Sequence, residues 1–191
     1  MNSEDSKTSV SSVMKSILDF LNSPQEQKNR AGYLARIRNS IGKNFEDATE
    51  VWPIFFPFIP QKYLKNGSLS CEENALFITL QLYAIGQQGL NKVLNDENVK
   101  NFGCSLQRIK DKDSVALDRR FNTMITATTF DEFVYHLRQI FRLGKSKNSF
   151  SVNFLRLAED LFWHQNGKER KICLAWAKDY YRYVRENENA N

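Results

Sequence analysis

The sequence predicts an all-α fold, a helical bundle of about eight to nine helices arranged in two lobes. Three observations predict it. Apolar residues recur at three- and four-residue spacing almost everywhere. No stretch sustains the period-two alternation of a half-buried strand. Only 4 prolines and 8 glycines punctuate 191 residues, which suits long regular elements with few turns. With 41% hydrophobic residues the chain can fill a core rather than stay disordered.

The elements follow in order. Residues 1–8 are polar and read as a disordered tail. Val10, Val13, Met14, Ile17, Leu18 and Leu21 then mark a first helix. The stretch SPQE, Ser23 to Glu26, reads as a capping box with proline at the first helical position. It starts a helix to about Ile41, stopped by Gly42. Asn44 can cap a further helix running into Pro53, and Pro53 to Pro60 reads as short helical turns and a buried apolar loop. Ser70 and Glu73 form a second box, and the helix behind it, CEENALFITLQLYAIG, is apolar on nearly all sides and belongs at a core centre.

Gly86 to Gly103 is polar and reads as the linker between an N-terminal lobe, residues 1–98, and a C-terminal lobe, residues 99–191. The second lobe has a short helix near Ser105–Lys110 and one from Ser114 to Ile125. Thr129 and Glu132 box a helix burying Phe130, Phe133, Val134, Leu137, Ile140 and Phe141, ended by Gly144. KSKNS is a loop, Val152 to Trp163 an amphipathic helix, and Lys168 to Asn187 the last helix, burying Ile172, Trp176, Tyr180, Tyr183 and Val184. Residues 187–191 read as a second disordered tail.

The charge is directed rather than spread. Net charge is +5, but two windows lack acids altogether. Gln27 to Phe45 carries Lys28, Arg30, Arg36, Arg38 and Lys43. Phe133 to Ala158 carries Arg138, Arg142, Lys145, Lys147 and Arg156. At 100° per residue Asp131, Tyr135, Arg138 and Arg142 share a stripe opposite the apolar face of their helix, and Lys145 continues it. Arg36 and Lys43 point away from Leu34, Ile37 and Ile41, while Arg30 and Arg38 flank that stripe and suit an ion pair as well as a ligand contact. Lys171, Lys178, Arg182 and Arg185 line the last helix. Stripes that converge make a track for a phosphate backbone, bound by charge rather than by base identity.

Enzyme chemistry finds no constellation. His136 and His164 are isolated and read as structural. Cys71, Cys104 and Cys173 are far apart and read as reduced thiols without a zinc site. There is no nucleophile elbow, phosphate-cradling glycine loop or HExxH, and no clustered carboxylates for a metal-dependent nuclease. Asp111, Asp113 and Asp118 near Arg119 and Arg120 read as caps and ion pairs. No cofactor and no metal are expected. The most apolar run, VWPIFFPFIP, has ten residues and three prolines, too short and broken to span a bilayer. The polar opening MNSEDSKTSVSS is unlike a signal peptide, so the expectation is a cytoplasmic protein without a membrane partner.

Several segments, in order, carry a resemblance: GYLARIRNSIG, VWPIFFPFIP, ALFITLQLYAIGQQG, GCSLQRI, DRRFNTMITATTFDEFVYHLRQIFRLGKSK, NFLRLAEDLFWHQ and ICLAWAKDYYRY. Together, over roughly Ala31 to Tyr183, they resemble the CasB family, the small subunit of the type I-E CRISPR surveillance complex Cascade. The resemblance implies a two-lobed helical protein without catalysis of its own. Its partners would be the other Cascade subunits, crRNA, single- or double-stranded DNA and a second copy of itself. It would brace the complex and hold the displaced non-target strand.

The basic positions carried over are Arg36 and Arg38 in LARIRN, Arg119 and Arg120 in DRRFN, and Arg138 and Arg142 in HLRQIFR. Lys43, Lys145 and Lys147 join them by charge and neighbourhood. The family often has a histidine before the glutamines of the LYA segment, where this chain has Ile85 and Gly86. A surface at Gln87 and Gln88 is a candidate self-contact. The alternative function is a purely structural brace that contacts partner subunits and crRNA without holding DNA.

Overall fold

The computed structural model describes residues 9–65, 67–90, 94–110 and 114–182. Both tails expected to be disordered, and Asp111, Asp113, Tyr183, Val184 and Arg185, lie outside the described residues. Among the described residues there are nine α-helices and no strand, only an isolated parallel bridge between Asn95 and Val152.

Helix α1, Val10–Asn22, starts where the Ser9 side chain accepts a hydrogen bond from Ser12 N. It buries the six apolar residues whose spacing predicts it. The SPQE stretch does not start an α-helix directly. Pro24–Glu26 form a 3-10 turn, Ser23 makes no side-chain cap, and α2 runs Gln27–Asn39. Helix α2 buries only Leu34 and Ile37. Asn44 likewise opens only a 3-10 turn, Phe45–Asp47, without a side-chain cap. Helix α3, Trp52–Phe55, carries Pro53 in its first turn, where the missing N–H costs nothing, so the proline lies in a helix start rather than at a helix end. Phe45 gathers the rings of Trp52, Phe55, Phe56 and Phe77 at 4.9–6.3 Å.

Helix α4, Cys71–Gly86, is the centre of the molecule. Its capping box is complete: Glu73 N donates to Ser70 Oγ and Ser70 N donates to the Glu73 carboxylate. Every residue from Ala75 to Gln87 is buried, because α1, α2, α7 and α8 surround it. Helix α5, Phe102–Gln107, starts earlier than its apolar pattern suggests, since Asn101 caps it by accepting from Cys104 N. Helices α6, Val115–Ile125, and α7, Phe130–Gly144, form a hairpin. Glu132 reaches back to Thr128 N rather than Thr129 N, one residue beyond the usual box. Helix α8, Phe154–Trp163, is capped by Asn153. Gly167, at φ 72°, turns the chain into α9, Glu169–Tyr180, where glycine takes the left-handed conformation without a Cβ clash.

The segment expected to be a polar linker is laid into the core at its described ends. Leu94 and Val99 are buried, Leu94 N donates to Gln87 Oε1 at 2.6 Å, and Asp96 N donates to Val152 O at 2.9 Å. Backbone polar groups near a core need partners, and Gln87 and Val152 supply them. Gln87 is therefore an internal bracket and not a surface for self-contact. Helices from both sides of residue 98 meet in this core, α1 and α4 against α8, and α4 against α7.

Candidate nucleic-acid interface

Helices α4 and α7 run side by side in the same direction, as two hydrogen bonds with equal offset require. Arg138 Nη2 donates to Gln81 Oε1 at 2.6 Å, and Lys145 Nζ donates to Gln88 Oε1 at 3.1 Å. Both pairs are 57 residues apart in sequence. Gln88 lies just past the end of α4 and Lys145 is the C-cap of α7, so each seven-residue step carries the helical turn to the helix end and returns to the same face. From the other side of α4, Arg38 Nη1 of α2 donates to the Ala84 carbonyl at 3.3 Å. Gln81 and Ala84 of α4, and Gln88 in the turn just after it, thus receive cations from α2 and from α7 with its C-cap.

These three cations rest on oxygens without formal charge. Arg30 follows the same rule: it donates to Asn22 Oδ1 and Tyr83 OH at 3.2 Å each, in place of the ion pair its sequence position allows. Four other cations are matched with carboxylates instead. Lys100 pairs with Asp179, Arg108 with Asp96, Lys110 with Asp118 and Arg156 with Asp160 at 2.8–3.0 Å. Arg138 is half-buried. Burial, then the neighbouring charge of Arg142, pulls its guanidinium below the ordinary arginine value, with Asp131 opposing. An arginine stays charged nonetheless. Its positive charge is therefore held in place without being cancelled.

The remaining expected cations fall into three groups. Arg36, Arg119, Arg120 and Arg142 are exposed and make no ion pair or hydrogen bond through their side chains among the described residues. Lys43 pairs with Glu50 at 2.7 Å, which also lowers the Glu50 carboxyl below its usual range. Lys147 is exposed in the turn after α7. Arg142 shares the α7 stripe with Arg138, Lys145 and Tyr135, whose ring is 57% exposed and stands edge-on to His136. No hydrogen bond or ion pair joins Arg119 or Arg120 on α6 to the group over α4. A cleft of about 340 Å³ beside Arg138 is lined by Lys43, Asn44, Asn74 and Arg138, and also by Glu46 and Asp131. The face is thus basic but not free of acids.

The histidines, a buried aspartate and a half-buried thiol each sit in a separate local setting. His164 lies against Phe133, ring centroids 4.1 Å apart, and burial lowers its pKa. His136 lies 3.9 Å from Glu132. Asp160 receives Trp176 Nε1 at 2.7 Å. Burial, then Glu169, pushes the Cys173 thiol up to about 11, which keeps it protonated and weakly nucleophilic. No cluster of three or more His, Cys, Asp or Glu able to hold a metal occurs among the described residues. No helix among them is long and apolar enough to cross a membrane.

Gln81 and Gln88 are partners of the cations that the charge pattern alone does not reveal. A signal was present: QLYAIGQQ places glutamines seven apart, matching the seven between Arg138 and Lys145.

The fold and this face define a class, an all-helical protein whose central helix orients cations from its neighbours. The chain belongs to the CRISPR-associated protein Cse2 family, whose model matches residues 33–181. This agrees with the CasB resemblance carried by the sequence motifs. Solved structures share the fold. CasB from Thermobifida fusca superposes with a TM-score of 0.69 at 21% identity, over 91% of this chain and 96% of that one. A Cse2-family CRISPR-associated protein from Thermus thermophilus gives 0.66 at 23%, over 88% and 97%. A chain of a CRISPR RNA-guided surveillance complex gives 0.64 at 14%, over 91% and 94%. A search of curated proteins found no match.

Proposed function

We propose that this chain is a non-catalytic small subunit of a CRISPR RNA-guided surveillance complex in the cytoplasm. In this reading it braces the other subunits and crRNA, alongside a second copy of itself, and holds the backbone of the displaced non-target DNA strand. Membership of the Cse2 family supports the setting. The observation that carries the DNA-holding role is the set of oriented cations over α4, with Arg138 and Lys145 on glutamine oxygens and Arg142 exposed beside them. Arg36, Arg38, Arg119, Arg120 and Lys147 extend the proposed contact surface, with Lys43 at its edge where Glu50 offsets its charge.

Exchanging a DNA duplex for an RNA–DNA hybrid is nearly balanced, so modest contacts decide the outcome. A displaced strand left free competes to re-pair. Cationic contacts to its phosphates remove that competitor without reading bases. Tyr135 offers a ring for one base to stack on.

The test is a gel shift of the full chain with single-stranded DNA over a salt series. Arg138→Ala combined with Arg142→Ala should weaken binding and reduce the salt slope by about 1.4, two contacts at about 0.7 each. A double variant that keeps the parent's slope but no longer assembles with the other subunits would leave only the bracing role.

A further inference from the structure

The two glutamines under the α7 stripe occupy positions where carboxylates would hold the same cations more strongly. Gln81 is fully buried, and its amide can be oriented only one way. Nε2 donates to the Ser40 carbonyl at 2.9 Å and to Ser40 Oγ at 3.1 Å, so Oε1 is the atom that faces Arg138. Ser40 is itself buried at the end of α2, so one amide ties α2, α4 and α7 together. Gln88 is exposed, and among the described residues its side chain makes no second bond. Its Oε1 accepts from Lys145.

Seven residues at the helical rise separate the backbones of Arg138 and Lys145 by roughly 10 Å along α7 and its cap. Asp131, on the same stripe, acts on Arg138 through its charge but forms no ion pair with it among the described residues.

We propose that Gln81 and Gln88 are positioning residues of the basic face, neutral amides that fix Arg138 and Lys145 without cancelling their charge. This rests on the reading of that face as a nucleic-acid interface. A carboxylate at either place would orient the cation and neutralise it. An apolar side chain would leave the charge but release the cation into many rotamers. The amide does neither, so a polyanion meets cations that are already ordered and still carry their full charge.

The experiment measures the anisotropy of a fluorescent oligothymidylate against the full chain over a salt series, with thermal melts alongside. Gln88→Glu adds one negative charge at Lys145. It should lower affinity about fivefold at about 0.1 M salt and reduce the salt slope by about 0.7, one phosphate contact on a single strand. The melting temperature should not change. Gln81→Met keeps the volume and frees Arg138, so the slope should stay and affinity fall about threefold, the cost of one unfixed long side chain. The Arg138→Ala, Arg142→Ala variant is the reference. If it loses slope while Gln88→Glu binds like the parent, the positioning role is overturned and the interface stands. If the reference variant also keeps the parent's slope, both readings fall. A Gln81→Met chain that melts and binds like the parent overturns the assignment for Gln81. Should that variant not fold, the exposed Gln88→Glu substitution still decides.

Discussion

Asp179 joins two elements through one carboxylate. Lys100 Nζ lies 2.8 Å from Oδ2, and Asn101 Nδ2 donates to the same oxygen at 2.6 Å, fixing the start of α5 to the end of α9. Burial acts to raise the Asp179 pKa, but the bonds from Lys100 and Asn101 outweigh it, and the net shift is downward. A carboxyl lowered in the folded state favours folding above its unfolded pKa, and that contribution is lost as pH falls through the folded value. Asp179→Ala should therefore cost about 2 kcal/mol at pH 7, mainly by stranding the buried Asn101 amide. The difference from the parent should shrink under acid conditions. Urea unfolding at neutral and acid pH measures both. None of this was legible in the sequence, because the partners lie 78 and 79 residues apart and nothing local marks Asp179 as an anchor.

Helix α4 illustrates what an element's sequence can say about its surroundings. A run apolar on nearly all sides, behind a complete capping box, belongs among other helices. The ends of α2 and α3 were less legible. Proline at a first position suits a 3-10 turn as well as an α-helix, and the choice falls to the packing around Phe45 and Leu34. Close helix contact depends on a residue too small to leave a pattern. A Cβ on Gly103 would sit inside the Trp176 carbonyl of α9. Gly103→Ala should thus push α5 off α9 and loosen the Phe102–Trp176 ring contact at 5.2 Å, costing about 3 kcal/mol. Gly32→Ala, on α2 with nothing within 4 Å, should instead stabilise by about 0.5–1 kcal/mol through helix propensity. Paired chemical denaturation curves read the contrast.

Across the whole protein, the buried side chains of both expected lobes form one cluster. Ser11 of α1 donates to Glu159 of α8 at 2.6 Å, and Tyr83 of α4 stands edge-on to Phe154 of α8. We expect residues 1–98 and 99–191 to unfold in a single transition. The segment 99–191 alone should give a broad, non-cooperative urea curve by circular dichroism, since α7 and α8 would lose α4; a sharp one would mark two independent folding units. The order of residues was enough for the helical class, the apolar faces, most helix starts and the family, because caps and 3.6-residue periodicity are local properties and the motifs keep their order along the chain. It also held the cations of the two acid-free windows, but not which of them would be cancelled. That came from the packing of distant helices: only when α4 lies between α2 and α7 do Gln81, Ala84 and Gln88 meet Arg138, Arg38 and Lys145, while Lys43 meets Glu50. The force between charges depends on their separation in space, and separation along the chain does not give it.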